Sequence, residues 1–119
     1  MPRLLMVDDE RDIQHLYAAE LEEDGYEVIT AGNAKDAARL LQTQPFDLVV
    51  LDIQMEGESG LHLLQRIVKE KENLPVILCT AFSCFKDDFS SWLADAYVVK
   101  SSDLSVLKQE IRRVLESKG

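Results

Sequence analysis

Phe46-Asp47-Leu48-Val49-Val50-Leu51-Asp52-Ile53-Gln54-Met55 is the stretch from which the rest of this chain can be read. Leu48 to Leu51 is a continuous apolar run, the pattern of a strand buried on both faces in a parallel sheet. The run stops on an acid, Asp52. In open α/β sheets, ligands bind in the crevice beyond the carboxyl ends of the strands. A carboxylate at that end of a buried strand is the first candidate functional residue.

Upstream of this stretch, Pro45 stops a helix carrying Ala34, Ala37, Ala38 and Leu41 on one face, with Asn33 placed to cap it. Glu27-Val28-Ile29-Thr30-Ala31 is mixed in polarity and suits an edge strand. Before it, Ile13, Leu16, Tyr17 and Leu21 recur at helical spacing as far as about Asp24, and Gly25 sits where a left-handed helix end wants it. Arg3-Leu4-Leu5-Met6-Val7 is a second buried-type strand, ending in Asp8-Asp9-Glu10.

Downstream, the loop Glu56-Gly57-Glu58-Ser59-Gly60 leads into a helix with Leu61, Leu64, Ile67 and Val68 inward. Pro75-Val76-Ile77-Leu78-Cys79 is a fourth strand, terminating at Thr80. Between Phe82 and Leu93 the spacing of Phe85, Phe89 and Trp92 or Leu93 is helical, but no strong cap appears. Ala96-Tyr97-Val98-Val99 is a fifth strand ending at Lys100, and Asp103 opens a last helix with Leu104, Leu107, Ile111, Val114 and Leu115 on one face. Five strands alternating with five helices through short crossovers require parallel pairing and right-handed connections. The fold expected is α/β: one doubly wound, five-stranded parallel sheet of order 2-1-3-4-5, flavodoxin-like, in a single domain over residues 1–119.

Composition agrees with one globular unit. The 119 residues are 46% hydrophobic and 29% charged, enough to bury a core without staples. A net charge of −9 and a pI near 4.6 set phosphate-rich partners aside, so neither direct nucleic-acid binding nor an anionic membrane surface is expected. The two cysteines, Cys79 and Cys84, are too few and too close for a disulfide framework. The opening residues do not read as a secretory leader and no apolar run comes near the roughly 20 residues that span a bilayer, so a cytoplasmic location is expected. His15 and His62 fall on helices without metal-ligand spacing and read as solvated or partly packed.

The chemistry lies just past the strand ends: Asp8 and Asp9 after the first strand, Asp52 after the third, Thr80 after the fourth and Lys100 after the fifth. With first and third strands adjacent, these side chains converge at the switch point of the sheet. Clustered carboxylates suit a hard divalent cation, and Mg2+ typically takes one or two of them with waters and phosphate oxygens. A lysine and a hydroxyl opposite the acids would hold the other oxygens of a phosphoryl group. The chemistry inferred is phosphoryl transfer onto an aspartate. Each residue alone has a plainer reading: Asp8, Asp9 or Glu10 as a cap of the first helix, Thr80 as a turn hydroxyl, Lys100 as a solvated charge. Their joint placement at the same ends of four strands makes coincidence a poor account.

Those residues carry a resemblance. Val7-Asp8-Asp9-Glu10, Leu51-Asp52-Ile53-Gln54-Met55 with Gly60 eight residues past the aspartate, Thr80-Ala81, and Ala94-Asp95-Ala96-Tyr97-Val98-Val99-Lys100 resemble the receiver domain of two-component response regulators, the chemotaxis-type phosphoacceptor fold. The resemblance covers essentially the whole chain in order. It implies Asp52 as phosphoacceptor, with Asp9, Asp52 and the Gln54 carbonyl binding Mg2+ and Asp8 acting through a metal-bound water. Lys100 and Thr80 would contact the phosphoryl group. Thr80 and Tyr97 would form a switch that remodels the face made by the fourth helix, fifth strand and fifth helix, where a downstream protein docks. From position alone Tyr97 is better read as a half-buried packing residue. The implied donor is a histidine kinase or histidine phosphotransfer protein. The only catalysis implied is of the chain's own phosphorylation and dephosphorylation, so an enzyme in the usual sense is not expected.

The chain departs from the family pattern in places. Ser101 follows Lys100 where proline is usual, Glu56 replaces a frequent proline, and Leu93 stands where a glycine commonly ends the fourth helix. A short or irregular fourth helix is expected. The resemblance also implies that Gln54 and Phe82 occupy the positions that tune dephosphorylation in that family, and a bulky Phe82 beside the site is expected to slow attack by water, giving a phosphoryl lifetime of minutes or longer. A haloacid-dehalogenase-type hydrolase would want a second aspartate where Gln54 stands, and a degenerate interaction module would have lost Asp9, Asp52 or Lys100; neither fits. Phe85, Phe89 and Trp92 either fill the core or form a patch for self-association, so the chain is expected as a monomer or a weak phosphorylation-dependent dimer. The ending Glu116-Ser117-Lys118-Gly119 fits a natural terminus and a trimmed linker equally.

Overall fold

The computed structural model describes residues 1–53, 60–71, 73–81, 93–101 and 103–118. Strands β1 (Arg3–Val7), β2 (Glu27–Ala31), β3 (Leu48–Leu51), β4 (Val76–Thr80) and β5 (Ala96–Val99) make one sheet in the order β2-β1-β3-β4-β5, every pair parallel. Helices α1 (Arg11–Glu23), α2 (Ala34–Thr43), α3 (Gly60–Glu70) and α4 (Ser105–Lys118) accompany it. The helix α4 is the last of the expected series. The expected short fourth helix, with Phe85, Phe89 and Trp92, lies outside the described residues, as do Gln54, Phe82 and Cys84.

The alternation of side chains along a strand divides the apolar residues into two layers. Leu5, Val7, Val49, Leu51, Val76 and Leu78 face the layer that holds Ala37, Leu41, Leu63, Leu64 and Ile67 of α2 and α3. Leu4, Met6, Leu48, Val50, Ile77, Cys79 and Val98 face Tyr17 and Leu21 of α1 and Leu107, Ile111 and Val114 of α4. Because both faces of β3 and β4 are covered, all their residues are buried, which is why those strands read as unbroken apolar runs. Each buried Leu, Ile or Val contributes roughly 1.5–3 kcal/mol. The mixed stretch at Glu27–Ala31 is an edge strand as expected, with Glu27 and Thr30 exposed.

Local signals at the helix ends hold as well. The Asn33 side chain accepts a hydrogen bond from the Asp36 N–H at 2.8 Å and caps α2. Gly25, with φ of 94°, turns the chain after α1. Two packing positions differ from expectation. Leu16 is exposed, because the inward stripe of α1 runs through Ile13, Tyr17 and Leu21 and Leu16 lies about 100° around the helix from Tyr17. In α3, Leu63 joins Leu64 and Ile67 in the core, while Leu61 and Val68 are only partly buried. No cis peptide bond occurs among the described residues, and the bond before Ser101 is trans.

Candidate functional site

The strand register gathers the expected site. Val7 lies opposite Leu51, and Leu51 opposite Leu78. The main chain continues the ladder past the strands: Asp8 N donates to Ala31 O (3.0 Å), Asp52 N to Val7 O (3.0 Å) and Lys100 N to Thr80 O (2.7 Å). Asp8, Asp52, Thr80 and Lys100 therefore leave the sheet at the same edge. Asp8 and Thr80 are 0% exposed and Asp52 3%, and these are the buried polar residues among those described.

Lys100 closes the cluster. Its Nζ lies 2.5 Å from Asp8 Oδ2 and 3.0 Å from Asp52 Oδ2. Burial by itself pushes the ammonium towards neutrality, but the hydrogen bonds to Asp8 and Asp52 outweigh it, and the net shift is upward from the ordinary lysine value. The lysine is thus locked in its charged form. Asp8 is held from further sides as well. Its Oδ1 accepts from Glu10 N at 2.9 Å, and Gln14 Nε2 donates to its carbonyl at 2.5 Å. The capping alternative does not hold for Glu10, which stands at the N-cap position of α1 and makes no side-chain cap.

One ammonium between two carboxylates leaves surplus negative charge, and more acid is close by. Carboxylate oxygens of Asp8, Asp9 and Glu10 lie within 4.8 Å of one another, Asp9 and Glu10 being exposed. An all-oxygen, all-anionic donor set with one buried member and two reaching solvent fits a hard, partly hydrated divalent cation such as Mg2+.

Gly60 explains how α3 can start beside the acid. A Cβ on residue 60 would lie 2.0 Å from the Asp52 carbonyl oxygen and 2.8 Å from Ile53 Cα, and Gly60 N donates to Ile53 O at 2.7 Å. The helix begins in direct contact with the main chain of Asp52, and only glycine leaves room. The support that Gln14 of α1 gives Asp8 was not foreseen. Gln14 reads as a solvated polar residue in a first helical turn, and nothing in its spacing announces the bond to Asp8.

The remaining candidates have plainer places. Tyr97 is half-buried in β5, opposite Leu78, and packs against the α2–α3 layer, as its position alone suggests. Cys79 is buried, and burial pushes its thiol up to about 12, which leaves it inert. His15 and His62 are both exposed. No helix among the described residues is long and apolar enough to cross a membrane.

Comparison with known proteins agrees with this geometry. A family model described as response regulator receiver domain matches residues 4–112. Transcriptional regulatory protein TctD of Salmonella typhimurium is 35% identical over 115 residues, covering 95% of this chain and 51% of TctD. The chain thus spans about half the length of that relative. Response regulator protein TrrA from Thermotoga maritima, in complex with Mg2+-BeF, superposes with a TM-score of 0.94 at 45% identity, covering 96% of this chain and 99% of TrrA. A crystal structure of histidine kinase ThkA in complex with TrrA contains a chain that matches at 45% identity and a TM-score of 0.92, covering 97% of this chain and 99% of that one. The sheet order, the acid–lysine cluster and these likenesses lead to one conclusion: the chain belongs to the response regulator receiver domain family.

Proposed function

We propose that this receiver domain accepts a phosphoryl group on Asp52 from a histidine kinase or histidine phosphotransfer protein, in a Mg2+-dependent reaction, and loses it slowly by its own hydrolysis. The observation that carries this reading is the contact of buried Asp52 with the Lys100 ammonium at 3.0 Å, at the open end of β3. An Asp52 oxygen attacks phosphorus, and the phosphorus–nitrogen bond of the donor histidine breaks as the new oxygen–phosphorus bond forms. Charge builds on the phosphoryl oxygens, and the residues already in place are those that offset it. Lys100, held charged by its two carboxylate partners, and the Thr80 hydroxyl receive those oxygens. Asp8, Asp9 and Asp52, with the Gln54 carbonyl, would hold Mg2+, which supplies further positive charge beside the transferring group.

Support for the donor class comes from the similar protein TrrA, which is seen in complex with the histidine kinase ThkA. Support for the metal comes from the Mg2+-BeF complex of TrrA and from the acid cluster at the end of β1. Output follows from Thr80 and Tyr97 repositioning when the phosphoryl group arrives, which presents β5, α4 and the segment between β4 and β5 to a downstream protein. The domain acts in the cytoplasm, as a monomer or a weak phosphorylation-dependent dimer. It turns over no external substrate beyond its phosphodonor.

Borohydride reduction tests the site directly, because it converts an aspartyl phosphate to homoserine. After treatment with acetyl phosphate and Mg2+, peptide mass spectrometry is expected to find homoserine at position 52. Homoserine at Asp8, Asp9 or another acid, with Asp52 unmodified, would overturn the assignment.

A further inference from the structure

Tyr17 is a buried hydroxyl that the chemistry above does not use. It is 1% exposed on the inner face of α1, where an aliphatic side chain would satisfy the packing. Burying a hydroxyl is unfavourable unless it is hydrogen-bonded. Its Oη donates to the carbonyl of Ser101 at 3.2 Å, across 84 residues of sequence, and it also contacts the Cys79 thiol. Those two partners flank the site: Ser101 follows Lys100, and Cys79 precedes Thr80. Between them, Lys100 N is bonded to Thr80 O.

After β5, Leu104 is buried in the α1–α4 layer and Lys100 is held by Asp8 and Asp52, and Tyr17 adds a side-chain bond to the main chain between them. Ser101 Oγ accepts from Asp103 N at 3.1 Å and Asp103 Oδ1 from Ser105 N at 2.9 Å, so these bonds only tie the loop to itself and to the start of α4. Serine leaves φ at position 101 free, where a ring would restrict it. Burial raises the Tyr17 hydroxyl to about 12, so it remains a donor across the physiological range. The same helix begins just after Asp8 and Asp9, so a bond from α1 to Ser101 links the acid end of the site to its cation.

We propose that Tyr17 is a positioning residue: a strut from α1 that fixes the main chain after Lys100 and so keeps its ammonium aligned with Asp8 and Asp52. This rests on the proposed role of Lys100 in receiving the phosphoryl group.

Tyr17→Phe removes only the hydroxyl. Two readouts are taken on the full chain: phosphorylation rate from acetyl phosphate and Mg2+ by intact mass, and the Lys100 13Cε resonance, assigned by its loss in Lys100→Arg. Ile111→Val, in the same packed layer but away from the loop, controls for a modest loss of stability. Tyr17→Phe is expected to slow phosphorylation about tenfold, the effect of losing one buried hydrogen bond in the aligned state, and to shift or broaden the Lys100 resonance. Ile111→Val is expected to leave both readouts at wild-type values. An unchanged Lys100 resonance in Tyr17→Phe, or equal slowing by Ile111→Val, would overturn the proposal. Wild-type protein that takes no phosphoryl group would instead count against the proposed function, while the resonance still reports on the strut.

Discussion

Replacing Lys100 by methionine keeps most of the side-chain bulk and removes the one charge between two buried acids. The Asp8 and Asp52 oxygens touch the same nitrogen at 2.5 and 3.0 Å, so they lie no more than about 5.5 Å apart. With an effective dielectric constant of about 20, two like charges at that separation repel by about 3 kcal/mol. Both side chains are nearly inaccessible, so solvent offsets little of this. Lys100→Met is therefore expected to lose about 3 kcal/mol at neutral pH, in line with the cost of breaking a buried ion pair from one side. Asp8→Asn then separates repulsion from mere loss of packing. In the Lys100→Met background it removes the repulsion and restores about 2 kcal/mol, most of that Coulomb term. In wild-type protein it takes a partner from the ammonium and destabilises. Urea unfolding of the four proteins at pH 7, in low salt and without divalent cation, gives both differences as shifts in midpoint at constant slope. The reasoning fails if Lys100→Met stays within about 0.5 kcal/mol of wild type, or if Asp8→Asn has the same sign in both backgrounds.

The same geometry carries two more expected outcomes. Gly60→Ala drives a methyl group to 2.0 Å from the Asp52 carbonyl oxygen, so the start of α3 must move away; a loss of about 3 kcal/mol in urea unfolding and slower phosphorylation are expected, and a neutral effect on both would show that the contact is not tight. At alkaline pH, Cys79 and Tyr17, raised from 9.0 and 10.0 to about 12, and Lys100, raised from 10.5, all hold protons more tightly when folded. Their stabilising contribution is complete below the unfolded values and is lost as pH rises through the folded ones, so Tm should fall steepest from about pH 9 to 12. Cys79→Ala should delay the onset to about pH 10, the next ordinary value in the series; an unmoved onset would show that the thiol plays no part.

How much of this was legible in the sequence depended on how far apart the interacting residues lie. The buried strands were plain, because covering both faces of β3 and β4 leaves no place for a polar residue until the strand ends. Asp52, Thr80 and Lys100 stood out for the same reason, as the first polar residues after an apolar run. Helix faces were legible only to within one residue, which is why Leu16 and Leu63 exchanged places with expectation. Gly60 was visible as part of a motif, but its reason, a clash with the main chain of Asp52, exists only once α3 is laid against β3. The Gln14 and Tyr17 supports left no trace in spacing, since their partners are main-chain carbonyls, one of them 84 residues away.

The most direct test of the central claim is intact-mass spectrometry after incubation with acetyl phosphate and Mg2+, with Asp52→Asn and a chelator as controls. One added phosphoryl group on the wild-type chain, absent in both controls, is the result expected of a metal-dependent acceptor at Asp52. An adduct that persists in Asp52→Asn or in the presence of chelator would contradict it.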